Sequence, residues 1–372
     1  MKRPAPASRE AGLLCLCARG RADSAAIRNL AAQAIDWPVF LKLAESHRLA
    51  PLCFRRLQDA CPELVPPDIR AALEKAFRRS VERNLFFAGE LSRIFTRLDA
   101  AGVAAFAFKG PVLAWWLYDH PGVRESSDLD LLVDAQDLTR TCTQLASLGY
   151  HVDRTGPLRS EGQVSLFRYA PEVTVDLHWE LAPASMGLRF DARSVASQSA
   201  EVLVAGRSVH TFGIEDQILS CALHGGKHGW TRLAWLADLS ALIELRPPDW
   251  PRLIAEARRK RLTRALFLGL RLAHNLLGTP LPAEIAALIP RDAAAASLAR
   301  ETAAHLFGPS RARRLFPREL RYEWSLTEGC AGKARFLWSK LTELSPADAQ
   351  SAASTRPFRL MWKYVHRLAA LR

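Results

Sequence analysis

Two aspartates separated by one residue lie in a strand-like run, SSDLDLLV at residues 126–133. Because side chains alternate between the two faces of a strand, we expect Asp128 and Asp130 on one face, with Leu129 and Leu131 on the other. Two carboxylates at this spacing repel each other unless cations neutralise them. Such hard oxygen donors suit Mg²⁺ or Mn²⁺, so the run predicts a divalent metal site.

A third aspartate lies on a second strand-like run, VTVDLHWE at residues 173–180. Its alternation predicts that Asp176, His178 and Glu180 share one face. If this strand pairs beside the first, three aspartates converge and can bind two ions around an in-line displacement at phosphorus. Asp176 would then accept the proton of an attacking hydroxyl. His178 either hydrogen-bonds a neighbouring carboxylate or takes part in catalysis.

A lysine and a glycine, Lys109 and Gly110, follow a short apolar strand and precede a helical pattern. Gly110 lets the backbone approach a triphosphate, and the helix N-terminus offers free N–H groups to anions. Lys109 either points toward phosphates or is simply exposed. Arg124 either offsets the repulsion between the carboxylates or binds phosphate. Ser126 and Ser127 are turn formers that could also donate to phosphate.

Together these residues resemble the nucleotidyltransferase superfamily of the DNA polymerase β type. The resemblance is strongest to a poorly characterised bacterial branch, the uncharacterised nucleotidyltransferase family, with Lys-Gly at the turn, Asp-x-Asp-Leu-Leu-Val on one strand and Asp-Leu-His-Trp on a later one. It covers approximately residues 89–245, with weaker similarity at residues 37–51 and in the helices after residue 214. The matching residues are Lys109, Gly110, Leu117, Tyr118, Arg124, Asp128, Asp130, Asp176, His178 and Trp179.

The resemblance implies an enzyme that transfers a nucleoside monophosphate from an NTP to an acceptor hydroxyl and releases pyrophosphate. It implies Mg²⁺ or Mn²⁺ as cofactor, with Asp128, Asp130 and Asp176 as catalytic residues and metal ligands. The residues implied in nucleotide binding are Lys109, Gly110, Arg124, Ser126, Ser127 and His178. The acceptor stays open among a small metabolite, an antibiotic-like amino alcohol or sugar, a protein side chain and an RNA end, with a small molecule or protein favoured.

Two alternatives are a non-catalytic nucleotide- or partner-binding protein with the same fold and a nucleotidyltransferase acting on RNA ends. The first is disfavoured because a binding module has little use for three unneutralised carboxylates. The second is suggested by the net charge of +13. Basic residues are spread over helical faces, however, without the interleaved aromatics of a stacking platform, so nucleic acid is a possible but not a favoured partner.

A length of 372 residues is sufficient for two or three domains. The apolar fraction of 49% indicates a globular protein with hydrophobic cores. The N-terminus lacks the apolar core of a signal peptide, and no apolar stretch is long enough to span a membrane. Seven cysteines without metal-type spacing are typical of reduced thiols. We therefore expect a cytoplasmic protein; the sequence does not indicate its oligomeric state.

The order of helical and strand patterns predicts an α+β fold with a small mixed sheet, flanking helices and a helical C-terminal domain. The predicted domains are an N-terminal helical region at residues 1–88, a nucleotidyltransferase core at 89–213 and a C-terminal helical domain at 214–372. A basic amphipathic helix is predicted at residues 358–372. The predicted strands lie at residues 103–108, 128–133, 150–153, 164–169, 173–180 and 207–212.

Two histidines one helical turn apart, His224 and His228, have a zinc-like spacing. No unambiguous third ligand lies nearby in the sequence. We interpret them, with Trp230, Trp235 and Asp238, as residues that pack the helical domain against the active-site cleft and contact the nucleotide or the acceptor.

Overall fold

The structure, a computed structural model, describes residues 8–152, 162–181, 190–307, 322 and 324–342. The expected helix at residues 358–372 lies outside this part of the chain. Within the described residues, no helix combines the length and the apolar character that crossing a membrane requires. The order of elements is helical, then mixed, then helical, which confirms the predicted α+β class.

Five helices precede the sheet: α1 (Arg9–Cys17), α2 (Ser24–Ala31), α3 (Trp37–Ser46), α4 (Ala50–Ala60) and α5 (Pro67–Ala100). Asp23 and Asp36 cap α2 and α3 by accepting hydrogen bonds from backbone N–H groups. Helix α5 begins with a proline, whose missing N–H would have no helical partner anyway, and ends just before Gly102. It is continuous across the predicted boundary between residues 88 and 89.

The central sheet has five strands in the order β1-β2-β5-β4-β3, in which β2 and β5 are parallel and the other pairs antiparallel. A separate hairpin contains β6 and β7. The strands are β1 (Ala105–Phe108), β2 (Leu129–Val133), β3 (His151–Val152), β4 (Gln163–Tyr169), β5 (Glu172–His178), β6 (Ala200–Val204) and β7 (Arg207–Thr211). The helices between them are α6 (Gly110–Tyr118), α7 (Leu138–Ser147) and α8 (Ala192–Ala196).

Strand β6 was not expected from the sequence, which predicts only its partner β7. The two are joined by Ala205 and Gly206, both with positive φ (48° and 86°), as a tight hairpin requires. Alanine is not a typical turn residue, so the sequence gives no clear signal for this hairpin.

Alternating side chains of β2 enter two different cores. Leu129 and Leu131 pack in the cluster that joins the sheet to α5. Leu132 lies in a second cluster with Phe108, which also contains residues of the N-terminal and C-terminal helices. The predicted alternation is therefore confirmed, and the acidic face of β2 looks toward the helices that surround the sheet.

The helices after residue 213 begin at Ile214, as the sequence predicts. Trp230 is fully buried between α9 and α12, and a Cβ on Gly225 would lie 2.4 Å from its ring. Close packing of this tryptophan therefore accounts for a glycine between His224 and His228. The helices are α9 (Ile214–Lys227), α10 (Leu233–Leu245), α11 (Trp250–Arg259), α12 (Thr263–Leu272), α13 (Ala283–Leu288), α14 (Ala293–Leu306) and a further helix, Gly329–Thr342.

Candidate active site

Three aspartates come together where β2 and β5 run side by side. Asp130 and Asp176 are direct partners in the parallel register of the two strands. Asp128 immediately precedes β2; burial raises the pKa of its carboxyl, and the charges of Asp130 and Asp176 raise it further. The structure thus forms the carboxylate cluster that the two sequence runs predict.

Lys109 supplies a cation to this cluster. Its Nζ lies 2.9 Å from Oδ1 of Asp130, and Nε2 of His178 lies 3.3 Å from the same oxygen. Burial alone would raise the pKa of Asp130, but Lys109 and His178 together lower it well below its ordinary value. Burial also lowers the pKa of His178. Asp130 is therefore an ionised carboxylate, and Lys109 carries the compensating charge.

The turn between β1 and α6 has an unusual backbone. Lys109 and Gly110 both have positive φ, 58° and 43°. A Cβ on Gly110 would lie 3.2 Å from the backbone oxygen of Asp128, so only glycine fits comfortably. A lysine with positive φ costs roughly 1–3 kcal/mol, and such strain is typical of functional sites.

Arg124 ties this turn to α10. It donates from Nε to Asp238 Oδ1 (3.0 Å), from Nη2 to Asp238 Oδ2 (2.9 Å) and from Nη1 to the backbone oxygen of Gly110 (3.1 Å). Ser80 Oγ and Asn84 Nδ2 donate to the backbone oxygen of Arg124, at 3.0 and 2.7 Å. Arg124 therefore pairs with Asp238 and not with the aspartates of the cluster, and Asp238 lies at the contact between α10 and the turn, in line with the predicted packing role.

The two serines before Asp128 have different surroundings. Ser127 Oγ accepts a hydrogen bond from Arg48 Nη1 (3.3 Å), and its backbone oxygen accepts one from Arg83 Nη2 (2.9 Å). Ser126 Oγ is buried and has no hydrogen-bond partner among the described residues. It lies 4.0 Å from the position that a Cβ on Gly110 would take. The hydroxyl of Ser126 is therefore free to donate beside the glycine turn.

Two arginines that the sequence does not predict as site residues, Arg48 and Arg232, lie at the edge of the acidic cluster. Burial and the neighbouring charge of Arg48 lower the pKa of Arg232, while Glu125 and Asp128 act in the opposite direction. Within the described part of the chain, neither arginine forms a salt bridge with a carboxylate. Arg48 precedes Asp128 by 80 positions, so only the fold could bring them together.

Three rings from α9 and α10 form an aromatic cluster, which we define as His224, His228 and Trp235. The ring centroid of His224 lies 4.6 Å from that of His228 and 5.1 Å from that of Trp235. Burial lowers the pKa of His224 well below its ordinary value, and the positive charge of Lys109 contributes to this shift. The cluster therefore lies beside the acidic centre, and the two histidines pack against Trp235.

No group of three or more His, Cys, Asp or Glu side chains in the described ranges is arranged to hold a metal ion. This includes the zinc-like histidine pair. At the acidic centre the ammonium of Lys109 contacts Asp130 at 2.9 Å. One lysine does not neutralise three carboxylates, so the donor set still suits a hard divalent cation.

We expect opposite effects from two neighbouring substitutions in metal-free protein. Asp128→Asn should increase the free energy of unfolding by on the order of 1 kcal/mol, because it removes a buried carboxylate repelled by two others. Asp130→Asn should decrease it by about 3 kcal/mol, because Lys109 loses its buried partner. Urea unfolding in the presence of EDTA measures both changes.

The pH dependence should differ as well. Because the pKa of Asp128 is raised, Asp128 is protonated as the pH falls. The difference in free energy of unfolding between the parent protein and Asp128→Asn should therefore shrink at lower pH. Asp130 has a lowered pKa, so its contribution persists until far more acidic conditions. Equal destabilisation by both substitutions would contradict this charge distribution.

Comparison with known proteins identifies a family and shows a weak likeness to solved structures. The profile of a family described as uncharacterised nucleotidyltransferase matches residues 33–278. The solution structure of the antibiotic-resistance factor ANT(2'')-Ia is similar to this chain with 16% sequence identity and a TM-score of 0.31, over 59% of this chain and 97% of that chain. No curated protein gives a significant match.

Proposed function

Since this chain belongs to the uncharacterised nucleotidyltransferase family, we propose that its acidic centre moves a nucleoside monophosphate from an NTP to an acceptor hydroxyl. The single observation that supports this most strongly is the pairing of Asp130 with Asp176 beside Asp128 and Lys109. Three carboxylates next to a strained glycine turn suit metal-assisted displacement at phosphorus.

Asp128, Asp130 and Asp176 would hold Mg²⁺ or Mn²⁺. When bound, the metal would neutralise charge on the attacking and leaving oxygens. Lys109 now balances Asp130, and its flexible side chain is long enough to turn toward a phosphate instead. His178, which also contacts Asp130, keeps the orientation of that carboxylate fixed.

The triphosphate would lie along the rim formed by the glycine turn and the two arginines. The N–H groups at the start of α6 and the unpaired hydroxyl of Ser126 can donate to its oxygens. Arg48 and Arg232, which lie near Glu125 but form no salt bridge with it in the described ranges, can balance the charge of the departing pyrophosphate. Two close guanidinium groups repel each other, and an anion between them removes that repulsion.

The acceptor would approach Asp176 from the side of the aromatic cluster. Ser165 Oγ donates to Asp176 Oδ1 at 2.6 Å, which leaves the other oxygen to accept the proton of a hydroxyl. The rings of His224 and Trp235, which pack edge to face, would offer the acceptor flat contact area. A small hydroxyl-bearing molecule or a protein side chain fits this description best.

The function is tested by pyrophosphate release from each of the four NTPs with Mg²⁺, in the presence of fractionated cell extract. We expect release with at least one NTP and one fraction, and none from the Asp128→Asn, Asp130→Asn double variant. We also expect Mg²⁺ to raise the melting temperature of the parent protein but not of the double variant. Metal stabilisation that survives the double substitution would show that these residues are not the ligands.

A further inference from the structure

A cavity lies behind the sheet, away from the acidic centre. It has a volume of about 460 Å³ and is lined by residues of α5, of the end of α7 and of the β4–β5 turn. Ser165 shares a face of β4 with Asp176 of the neighbouring strand, whereas Arg168, three residues further, points to the opposite face. The cavity and the acidic centre are therefore on different sides of the same sheet.

The most unusual group in this cavity is the guanidinium of Arg168. The residue is only 7% exposed. Its Nη1 lies 2.8 Å from Glu90 Oε2, its Nε donates to the backbone oxygen of Pro171 at 3.4 Å, and its plane covers the ring of Tyr150. Its Nη2 is buried without a hydrogen-bond partner among the described residues. This nitrogen is enclosed by protein atoms, so Arg168 contributes its positive charge to the cavity and not an accessible donor.

Charge in the cavity favours an anion. Glu90 is shared: it accepts from Arg168, from Arg93 Nη1 (3.0 Å) and from the hydroxyl of Tyr150 (2.8 Å). One carboxylate thus faces two guanidinium groups and already accepts three hydrogen bonds. His151 adds a further nitrogen donor to the lining.

An aromatic side chain stands at the rim. Tyr169 lines the cavity and is 81% exposed. An exposed aromatic ring contributes little to the stability of the fold. It can, however, cover the flat organic part of a ligand whose charged end enters the cavity.

We propose that this cavity is a second binding site, separate from the acidic centre, for a small phosphate monoester. Its phosphate accepts hydrogen bonds from Arg93 and His151, the buried charge of Arg168 attracts it, and its organic part lies against Tyr169. Free phosphate shares the charged end of this ligand, so inorganic phosphate and adenosine monophosphate serve as the two probes.

Calorimetric titration of the full chain in EDTA tests the site, because without metal the three active-site carboxylates repel both probes. We expect saturable binding of one equivalent of each, with adenosine monophosphate binding more tightly. Arg93→Gln should weaken both by roughly tenfold or more, since one charge-assisted contact is lost. Tyr169→Ala should weaken only adenosine monophosphate. Arg168→Met should abolish binding, but it also unpairs Glu90, so Arg93→Gln is the principal variant.

The matched control is Arg97→Gln, one turn along the same helix, whose side chain donates to Ser147 outside the cavity. Equal losses from Arg93→Gln and Arg97→Gln would reduce the effect to general attraction by a basic protein and overturn the proposal. Absence of binding at millimolar probe, or binding that disappears in Asp130→Asn, would overturn it too. If Tyr169→Ala leaves the affinity for adenosine monophosphate unchanged, the proposed contact between Tyr169 and the organic part of the ligand is wrong.

Discussion

Asp176→Asn should reduce turnover by roughly 100-fold or more while NTP affinity stays within about threefold of the parent. The carboxylate of Asp176 is expected to accept the proton of the attacking hydroxyl, an interaction that forms in the transition state. The asparagine side chain has the same shape and still accepts the hydrogen bond from Ser165 Oγ, so the strand pairing should persist. Calorimetric titration with NTP and Mg²⁺, beside steady-state kinetics with a verified acceptor, measures the two quantities separately.

The matched control for this substitution is Glu172→Gln. Glu172 begins the same strand β5, is exposed and lies far from the acidic cluster in the register. It should leave turnover unchanged. If Asp176→Asn also leaves turnover unchanged, Asp176 has no place in the mechanism. If Asp176→Asn instead abolishes NTP binding, the main role of Asp176 is to bind the metal.

Asp238→Asn should lower the free energy of unfolding by about 3–5 kcal/mol, since breaking a buried ion pair leaves the other charge uncompensated. The side chains of Arg124 and Asp238 are only 16% and 8% exposed and form a bidentate contact. Activity should fall as well, because Arg124 also donates to the backbone oxygen of Gly110. Urea denaturation and NTP titration give the two effects.

A double substitution distinguishes positioning from stability. Arg124→Met with Asp238→Leu removes both charges, so we expect most of the lost stability to return. The carbonyl of Gly110 stays without its donor, so NTP affinity should remain low. Asp59→Asn, which breaks an exposed pair with Arg55, is the control and should change stability by less than about 1 kcal/mol. Recovery of full NTP affinity in the double variant would show that Arg124 does not position the turn.

Local pattern determined much of this protein. The alternation of charged and apolar residues predicts which face of β2 and of β5 is acidic, because a strand has a fixed period of two. The glycine after Lys109 predicts a turn, and the prolines and glycines around α5 predict its bounds. These signals are contained in a few consecutive residues, and the structure confirms the elements they predict.

Only the tertiary structure decided what the charged side chains contact. Lys109 pairs with Asp130, Arg124 pairs with Asp238 over a separation of 114 residues, and Arg48 reaches Ser127 from the N-terminal helices. A lone arginine in a sequence has the same appearance whether it binds a phosphate, a carboxylate or water. Its partner depends on which elements pack beside it, and long-range packing of buried apolar faces, rather than local pattern, decides that arrangement.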